Sequence, residues 1–377
     1  MEIPAYTQDH LKFRKRVYRF MEREVLPNID QWEAERRVPK TVWKKMGERG
    51  FLCTWVDTAY GGQAKDFLYS VIVCEEMART NHGGLAAYLH SDIVVPYIDA
   101  YGSFNQKQKY LPGCVSGDIV TAVAMTEPGA GSDLASMTTS AVENGKAVVL
   151  NGSKTFISNG INADLVIVAA RDAGVDNPYE AISMYLVEDG TPGFGRGKKM
   201  HKMGAHSQDT AELFFSNATI PIENRLGKKG TGFLMLMEKL QQERLITAII
   251  AVAAAEFILD WIMNFCRKGD LPGHTSQAVQ FALVEMATEV KLGRTFLDKL
   301  IADHMERQNV IIETSMAKYW TTEMVKRLAD RALDLAGETA ILETCPIVRG
   351  FRDVRVMSIF AGTNEIMKGI TAKFMGL

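Results

Sequence analysis

Ala124-Met125-Thr126-Glu127-Pro128-Gly129-Ala130-Gly131-Ser132-Asp133 joins a short apolar run to small, hydroxylic and acidic residues, with glycines and a proline constraining the backbone. Such a segment can set hydroxyls and backbone N–H groups against a phosphate-bearing ligand. A second segment, Asn151-Gly152-Ser153-Lys154-Thr155-Phe156-Ile157-Ser158-Asn159-Gly160, begins 27 residues after Ala124 and adds an aromatic ring and further hydroxyls. No GxGxxG follows a strand and no GxxxxGK[ST] occurs, which leaves Rossmann and P-loop readings without support.

These segments need elements to hold them, and the chain changes texture around them. Residues 7 to about 115 favour helices: Leu11, Phe13, Val17, Phe20 and Met21 recur at helical spacing, and Pro27 marks a stop. Residues 66–80 and 91–101 form further apolar-striped segments. From about 120 to 224, short runs of strand formers are separated by Asn-Gly, Asp-Gly and Pro-Gly pairs. Helical patterns return over 233–265, 275–303 and 313–336. The predicted units are an all-α domain at 1–119, a β domain at 120–228 and a helical bundle at 229–377.

At 377 residues, with 47% hydrophobic and 23% charged residues, the composition is that of a globular chain with a large core. A formal net charge of −2 gives no general field for nucleic acid. The cysteines Cys53, Cys74, Cys114, Cys266 and Cys345 form no CxxC pair, which points to reduced thiols. No h-region and no stretch apolar enough for a bilayer is read in the sequence, and the expected location is cytoplasmic.

The two glycine-bearing segments, in this order, resemble those of acyl-CoA dehydrogenases, and the resemblance covers nearly the whole chain, closest to the long-chain branch. It implies an α+β fold: an N-terminal helical domain, a middle β-barrel or sandwich and a C-terminal four-helix bundle. It implies FAD as cofactor, held by Met125, Thr126, Gly131, Ser132, Phe156, Ser158 and Thr363. Thr126 would bond the flavin ring and Ser132 the pyrophosphate; Phe156 would pack along the ring where the family has tryptophan. Ser158 stands where the family has threonine. Ser132, Arg244 and Gly362 would contact the acyl-CoA.

In many members a glutamate precedes Gly-Thr near the C-terminus; here that position is Ala361, in Phe360-Ala361-Gly362-Thr363. The long-chain pattern Gln-Glu-Arg-Leu occurs instead at Gln242-Glu243-Arg244-Leu245, so the resemblance makes Glu243 the base. The Ala361 backbone N–H remains a donor for the thioester oxygen. Glu365 is a rival acid and Glu127 a structural one; His90 and His206 read as structural or surface residues. The small residues of Asn81–Ala87 fit either room for the acyl chain or close helix packing.

Two stretches depart from the family. Arg-x-x-Phe-Gly is missing from Phe265-Cys266-Arg267-Lys268-Gly269-Asp270-Leu271-Pro272-Gly273-His274-Thr275-Ser276, and Gln-x-x-Gly-Gly becomes Asp334-Leu335-Ala336-Gly337-Glu338. Both changes fall where the resemblance puts the adenosine half of FAD. The expected activity is α,β-dehydrogenation of an acyl-CoA to the trans-2-enoyl-CoA, with an electron-transfer flavoprotein as partner and a homotetramer or dimer as assembly. The alternatives are an oxidase, an enoyl-CoA reductase, and a flavin-poor protein acting in binding or assembly.

Overall fold

The computed structural model describes residues 5–268 and 276–377. Helices come first: α1 (Gln8–Phe20), α2 (Ile29–Glu35), α3 (Lys40–Glu48), α4 (Phe67–Ala78), α5 (Val95–Tyr101) and α6 (Phe104–Ser116). Thr7 opens α1 by accepting the His10 N–H at 3.3 Å, while the His10 ring receives the Thr7 N–H at 3.1 Å. This reciprocal cap satisfies donors that a helix start leaves free. Phe13, Val17, Phe20 and Met21 are buried as their spacing predicts, but Leu11 is 41% exposed and His10 takes the inward position. Pro27 does not end the helical path: a π turn at Met21–Val25 runs into a 3-10 turn at Leu26–Asn28, whose first positions need no proline N–H.

Strands β1 (Thr121–Ala124), β2 (Ser140–Asn144), β3 (Ala147–Ser158), β4 (Leu165–Asp172), β5 (Ile182–Glu188), β6 (Phe194–Arg196), β7 (Thr210–Pro221) and β8 (Arg225–Leu226) follow. They join in one sheet ordered β6-β7-β3-β2-β4-β5-β8, with β1 beside β4. The expected barrel or sandwich is therefore corrected to an open sheet. Its end strands β6 and β8 span only three and two residues and do not meet. Residues Leu165–Ala170 of β4 are all buried, the pattern of a strand covered on both faces.

One edge of β4 is taken by β5 along its length. The other edge is divided: β1 pairs from Thr121 opposite Leu165, and β2 from Ser140 opposite Arg171, both parallel to β4. The chain leaves this edge at Ala124 and rejoins it at Ser140. Everything between, including Thr126 and Ser132, is an excursion out of the ladder.

The remainder is helical: α7 (Gly232–Arg267), α8 (Gln277–Met305), α9 (Ile311–Ala336), α10 (Pro346–Val354) and α11 (Asn364–Phe374). The long helices α7, α8 and α9 pack on one another, and α11 packs along α9. α7 corrects the reading that no stretch could span a bilayer. By length and composition it is sufficient, with mean hydropathy 2.1 over its most apolar stretch. That stretch is 72% buried inside the protein, which is how a bundle hides an apolar helix. Arg294 of α8 fastens this bundle to the N-terminal helices, bonding Glu75 of α4 at 2.6 Å and Glu256 of α7 at 2.7 Å.

Candidate active site

The excursion between β1 and β2 is organised around Glu127. Its carboxylate accepts the Thr138 N–H at 2.7 Å, the Thr138 hydroxyl at 2.8 Å, the Thr139 N–H at 2.9 Å and Lys154 Nζ at 2.8 Å. Burial alone would push this carboxyl up, but the bonds from Lys154, Thr139 and Thr138 hold it down at about 2. Lys154 is fully buried and also donates to the Met125 carbonyl at 3.0 Å. One ammonium on β3 thus fixes both ends of Met125–Glu127. Glu127 is structural, as its place in a tight turn suggests.

β3 brings the second segment alongside. The Thr155 N–H donates to the Thr126 carbonyl at 2.9 Å. Between Lys154 and Ile157 the pairing of β3 with β7 slips by one residue, and Phe156 sits at that bulge with φ 57°. A bulge re-aims a side chain out of the ladder, and Phe156 is 68% exposed while Ile157 is buried. The left-handed backbone costs an L-residue about 1–2 kcal/mol. A strained strand presenting a bare aromatic face suits a planar ligand.

The hydroxyls of Thr126, Ser132 and Ser158 bond no other protein group among the described residues, nor do the Gly131 and Ser132 N–H groups. A Cβ at Gly131 would meet nothing within 4 Å. Donors, an aromatic face and open space therefore remain for a ring-bearing phosphate ligand, and the residues fit FAD at this end. Met125, Ala130 and Leu134 pack into the same apolar cluster as Phe233, Met235 and Leu236 at the start of α7. The excursion and the helix that carries Glu243 therefore share a core.

On α7, Glu243 buries Oε2 without any hydrogen-bond partner. Burial drives its proton affinity up to about 7, against the charges of Arg244 and Lys318. Arg244 is only 5% exposed, its Nε also buried and unpartnered, so this is no solvated helical pair. Gln242 donates Nε2 to the Asp92 carbonyl at 2.7 Å and ties this turn of α7 to the N-terminal domain. The Tyr97 hydroxyl is buried, unpartnered and sensitive to the Glu243 charge.

The turn before α11 completes this side. Ala361 has φ 57° and Gly362 φ 85°, and Thr363 caps α11 by accepting the Ile366 N–H at 3.3 Å. The Ala361 N–H finds no acceptor among the described residues, which leaves it available to a ligand oxygen. Fully buried Lys318 of α9 donates to the Gly362 carbonyl at 2.6 Å. Sequence reading missed Lys318. Its signal was a lysine on a helix face otherwise made of Ala317, Thr314, Thr321 and Thr322, all buried.

Other candidates fill different places. Glu365 is exposed at the start of α11, its charge reaching Lys318. His90 bonds Thr121 Oγ1 at 2.8 Å and the Cys114 carbonyl at 2.9 Å, and burial holds it down at about 4. His206 bonds the Met203 carbonyl at 3.1 Å. Ser207 Oγ lies 2.6 Å from His82 Nε2, but Glu33 bonds the same hydroxyl and His82 Nδ1 has no partner. A relay would need the carboxylate on the far ring nitrogen.

The small residues at 81–87 resolve towards packing. A Cβ on Gly84 would meet Ser207 Oγ at 1.8 Å, and one on Gly83 would meet Ala205 Cβ at 3.0 Å. At the departures from the family, Asp334 and Glu338 are exposed. Arg267 is exposed at the end of α7, 3.4 Å from Asn264 Oδ1. Gly269–Thr275 lie outside the described residues.

Comparison with known proteins agrees with this architecture. The chain matches the acyl-CoA dehydrogenase N-terminal domain over residues 7–118, the middle domain over 122–218 and the C-terminal domain over 230–376. It is 40% identical to the rat mitochondrial long-chain specific acyl-CoA dehydrogenase over 372 residues, 98% of this chain and 86% of the rat protein. It is 34% identical to an acyl-CoA dehydrogenase of Bacillus subtilis over 373 residues, 98% of each. The crystal structure of an acyl-CoA dehydrogenase from Geobacillus kaustophilus superposes with TM-score 0.98 at 48% identity, covering 100% of both chains. The expected cytoplasmic location is corrected by the first of these relatives, which is mitochondrial by name. Thiol usage and charge do not distinguish one reducing compartment from another. With family matches in all three regions of the chain, the protein belongs to the acyl-CoA dehydrogenase family.

Proposed function

We propose that this chain dehydrogenates a long-chain acyl-CoA between its α and β carbons, with Glu243 as the base. The observation that carries the assignment is the buried, partnerless Glu243 Oε2, raised to about 7 on a helix that shares a core with the excursion. A base with that affinity is half-ionised near neutral pH and accepts a proton strongly when ionised. Glu243 takes the α-proton, the β-hydrogen leaves with its electron pair, and a carbon–carbon double bond forms. FAD, when bound, supplies the two-electron acceptor and would pass the electrons to an electron-transfer flavoprotein. The free Ala361 N–H bonds the thioester oxygen as negative charge develops there, which lowers the barrier.

Thr126, Ser158 and Phe156 would hold the flavin ring, and Met125 the adjoining backbone. Gly131 and Ser132 would meet the pyrophosphate, with Thr363 at the start of α11. Ser132, Gly362 and Arg244 would meet the CoA thioester and its arm. Exposed Phe281, Val284 and Leu292 on α8 support assembly into a homotetramer or dimer.

The test is anaerobic mixing of the flavin-loaded protein with palmitoyl-CoA, followed by flavin absorbance. The wild type should bleach, and Glu243→Gln should slow bleaching by about 10²–10⁴-fold at unchanged flavin content. Bleaching undiminished by that change removes Glu243 from the role. Rapid peroxide formation by the reduced protein in air would assign an oxidase instead.

A further inference from the structure

We propose that Lys318 is the positioning residue that couples the proton-accepting carboxylate to the thioester-facing turn. It would hold the Gly362–Thr363 peptide in place, and with it the turn that presents the Ala361 N–H, while its charge favours ionised Glu243. The placement of the turn rests on geometry. Lys318 Nζ donates to the Gly362 carbonyl at 2.6 Å and to Asn364 Oδ1 at 3.1 Å. Asn364 is itself fixed, its Nδ2 donating to Glu323 Oε1 at 2.7 Å and to Thr322 Oγ1 at 3.1 Å. Two successive residues with positive φ, one an alanine, persist only where the surroundings determine them. The buried ammonium from α9 is that determinant, gripping the carbonyl one residue beyond the free Ala361 N–H.

The electrostatic half follows from the neighbours. Around Glu243 stand Arg244 on its own helix, Lys318 from α9, and the Tyr88 and Tyr97 hydroxyls from the N-terminal domain. Around Lys318 stand Glu243 and Arg244 from α7, Glu365 from α11 and Glu323 on its own helix. A neutral donor would satisfy the Gly362 carbonyl equally well and avoid the cost of burying a charge. Burial draws the Lys318 ammonium down to about 8, opposed first by the Glu243 carboxylate. The charge also acts on Glu243, since an opposite charge within electrostatic reach favours the ionised form against desolvation.

Three variants separate the two functions. Lys318→Gln keeps a donor and removes the charge, Lys318→Met removes both, and Lys318→Arg keeps the charge. The first readout is independent of flavin. In the apoprotein, the infrared band of the protonated carboxyl, assigned by its loss in Glu243→Gln, is titrated between pH 5 and 9. In Lys318→Gln its midpoint should rise by about one pH unit or more, and in Lys318→Arg it should stay near the wild type.

The second readout is anaerobic flavin reduction by palmitoyl-CoA across the same pH range. The acidic limb should move upward with the infrared midpoint. In Lys318→Met the limiting rate at high pH should also fall by about 10–100-fold, because the turn is no longer held. A merely structural lysine would alter melting temperature or flavin content and leave the midpoint unmoved.

An unmoved infrared midpoint in Lys318→Gln overturns the proposal, as does failure of both neutral variants to fold, which would make Lys318 a structural residue. The role in catalysis rests on Glu243 being the base. Should wild-type flavin fail to bleach while the infrared midpoint still shifts, the functional reading falls and the pairing of Lys318 with Glu243 stands.

Discussion

The excursion between β1 and β2 and the α7 turn at Gln242–Leu245 each keep a glutamate oxygen out of solvent, and they treat it in opposite ways. Glu127 receives two backbone N–H groups, a hydroxyl and an ammonium, and is held at about 2. Glu243 leaves Oε2 without a partner and rises to about 7. A fully satisfied carboxylate is inert and makes a loop rigid; an unsatisfied one stores proton affinity. The sheet side of the molecule is therefore built to hold a ligand still, and the helical side to react with one.

The most damaging way to break that comparison is to strand Glu127. Lys154→Met leaves a buried carboxylate without its cation and should cost about 3–5 kcal/mol. The expected result in urea melts is a lower midpoint at unchanged slope, with flavin lost on gel filtration. A loss below about 1 kcal/mol would show that backbone donors alone hold the excursion.

Next comes the sign of the pH dependence, which the two glutamates should give in opposite directions. The folded value of Glu127 lies below its ordinary 4.5, so its contribution is present above 4.5 and fades as pH falls towards 2. The folded value of Glu243 lies above 4.5, so its contribution is present below 4.5 and fades as pH rises through about 7. Melting temperatures of Glu127→Gln and Glu243→Gln between pH 2 and 8 test this. Relative to the wild type, Glu127→Gln should lose stability as pH rises from about 2 to 4.5 and stay level above it, whereas Glu243→Gln should gain stability between 4.5 and about 7. The same raised value places the acidic limb of flavin reduction near pH 7, since the base must be ionised. A limb near 4.5 would show that Glu243 is solvated.

How much of this was legible in the sequence follows from the same physics. The long helices and the main strands announce themselves through local periodicity and turn pairs, and the structure forms α7, α8, α9, β4 and β5 where those patterns lie. The family pattern singled out Glu243, and its burial without a partner fits that choice. Three things depended on contacts between segments far apart in the chain. The division of the β4 edge between β1 and β2 makes an open sheet of what reads as a barrel. Gly84 is small because Ser207 and His82 crowd it, which no local pattern reveals. Lys318 meets Gly362, 44 positions later, so a lysine in a helix gives no sign of its partner. The hydropathy of α7 was underrated because scattered charges near its ends hide a long apolar centre.

A smaller effect is expected at the bulge. Phe156→Gly relieves the left-handed φ, worth about 1–2 kcal/mol, while glycine gives back about 0.5–1 kcal/mol of chain entropy. Removing a ring that is 68% exposed forfeits little packing. The apoprotein should thus be unchanged or more stable by up to about 1 kcal/mol in urea melts. Flavin affinity should nonetheless fall severalfold with the lost ring contact. Equal loss of stability and affinity would make Phe156 a core residue rather than a ligand face.

The smallest effect belongs to Asp334 and Glu338, the acids at the far end of the expected cofactor path. Both are exposed, so Asp334→Gln and Glu338→Gly should move stability by less than about 0.5 kcal/mol. If the diphosphate of FAD approaches them, each removed charge should tighten binding by about threefold at low salt, and the gain should vanish by about 0.5 M salt as screening shortens its reach. Titration of the apoprotein with FAD, followed by quenching of flavin fluorescence at both salt concentrations, measures this directly. A tightening that survives salt would come from local refolding around Gly337 instead of charge. No tightening at either salt would place the adenosine half away from this loop, and the groups that meet it would then have to be sought at Arg267 and Lys268.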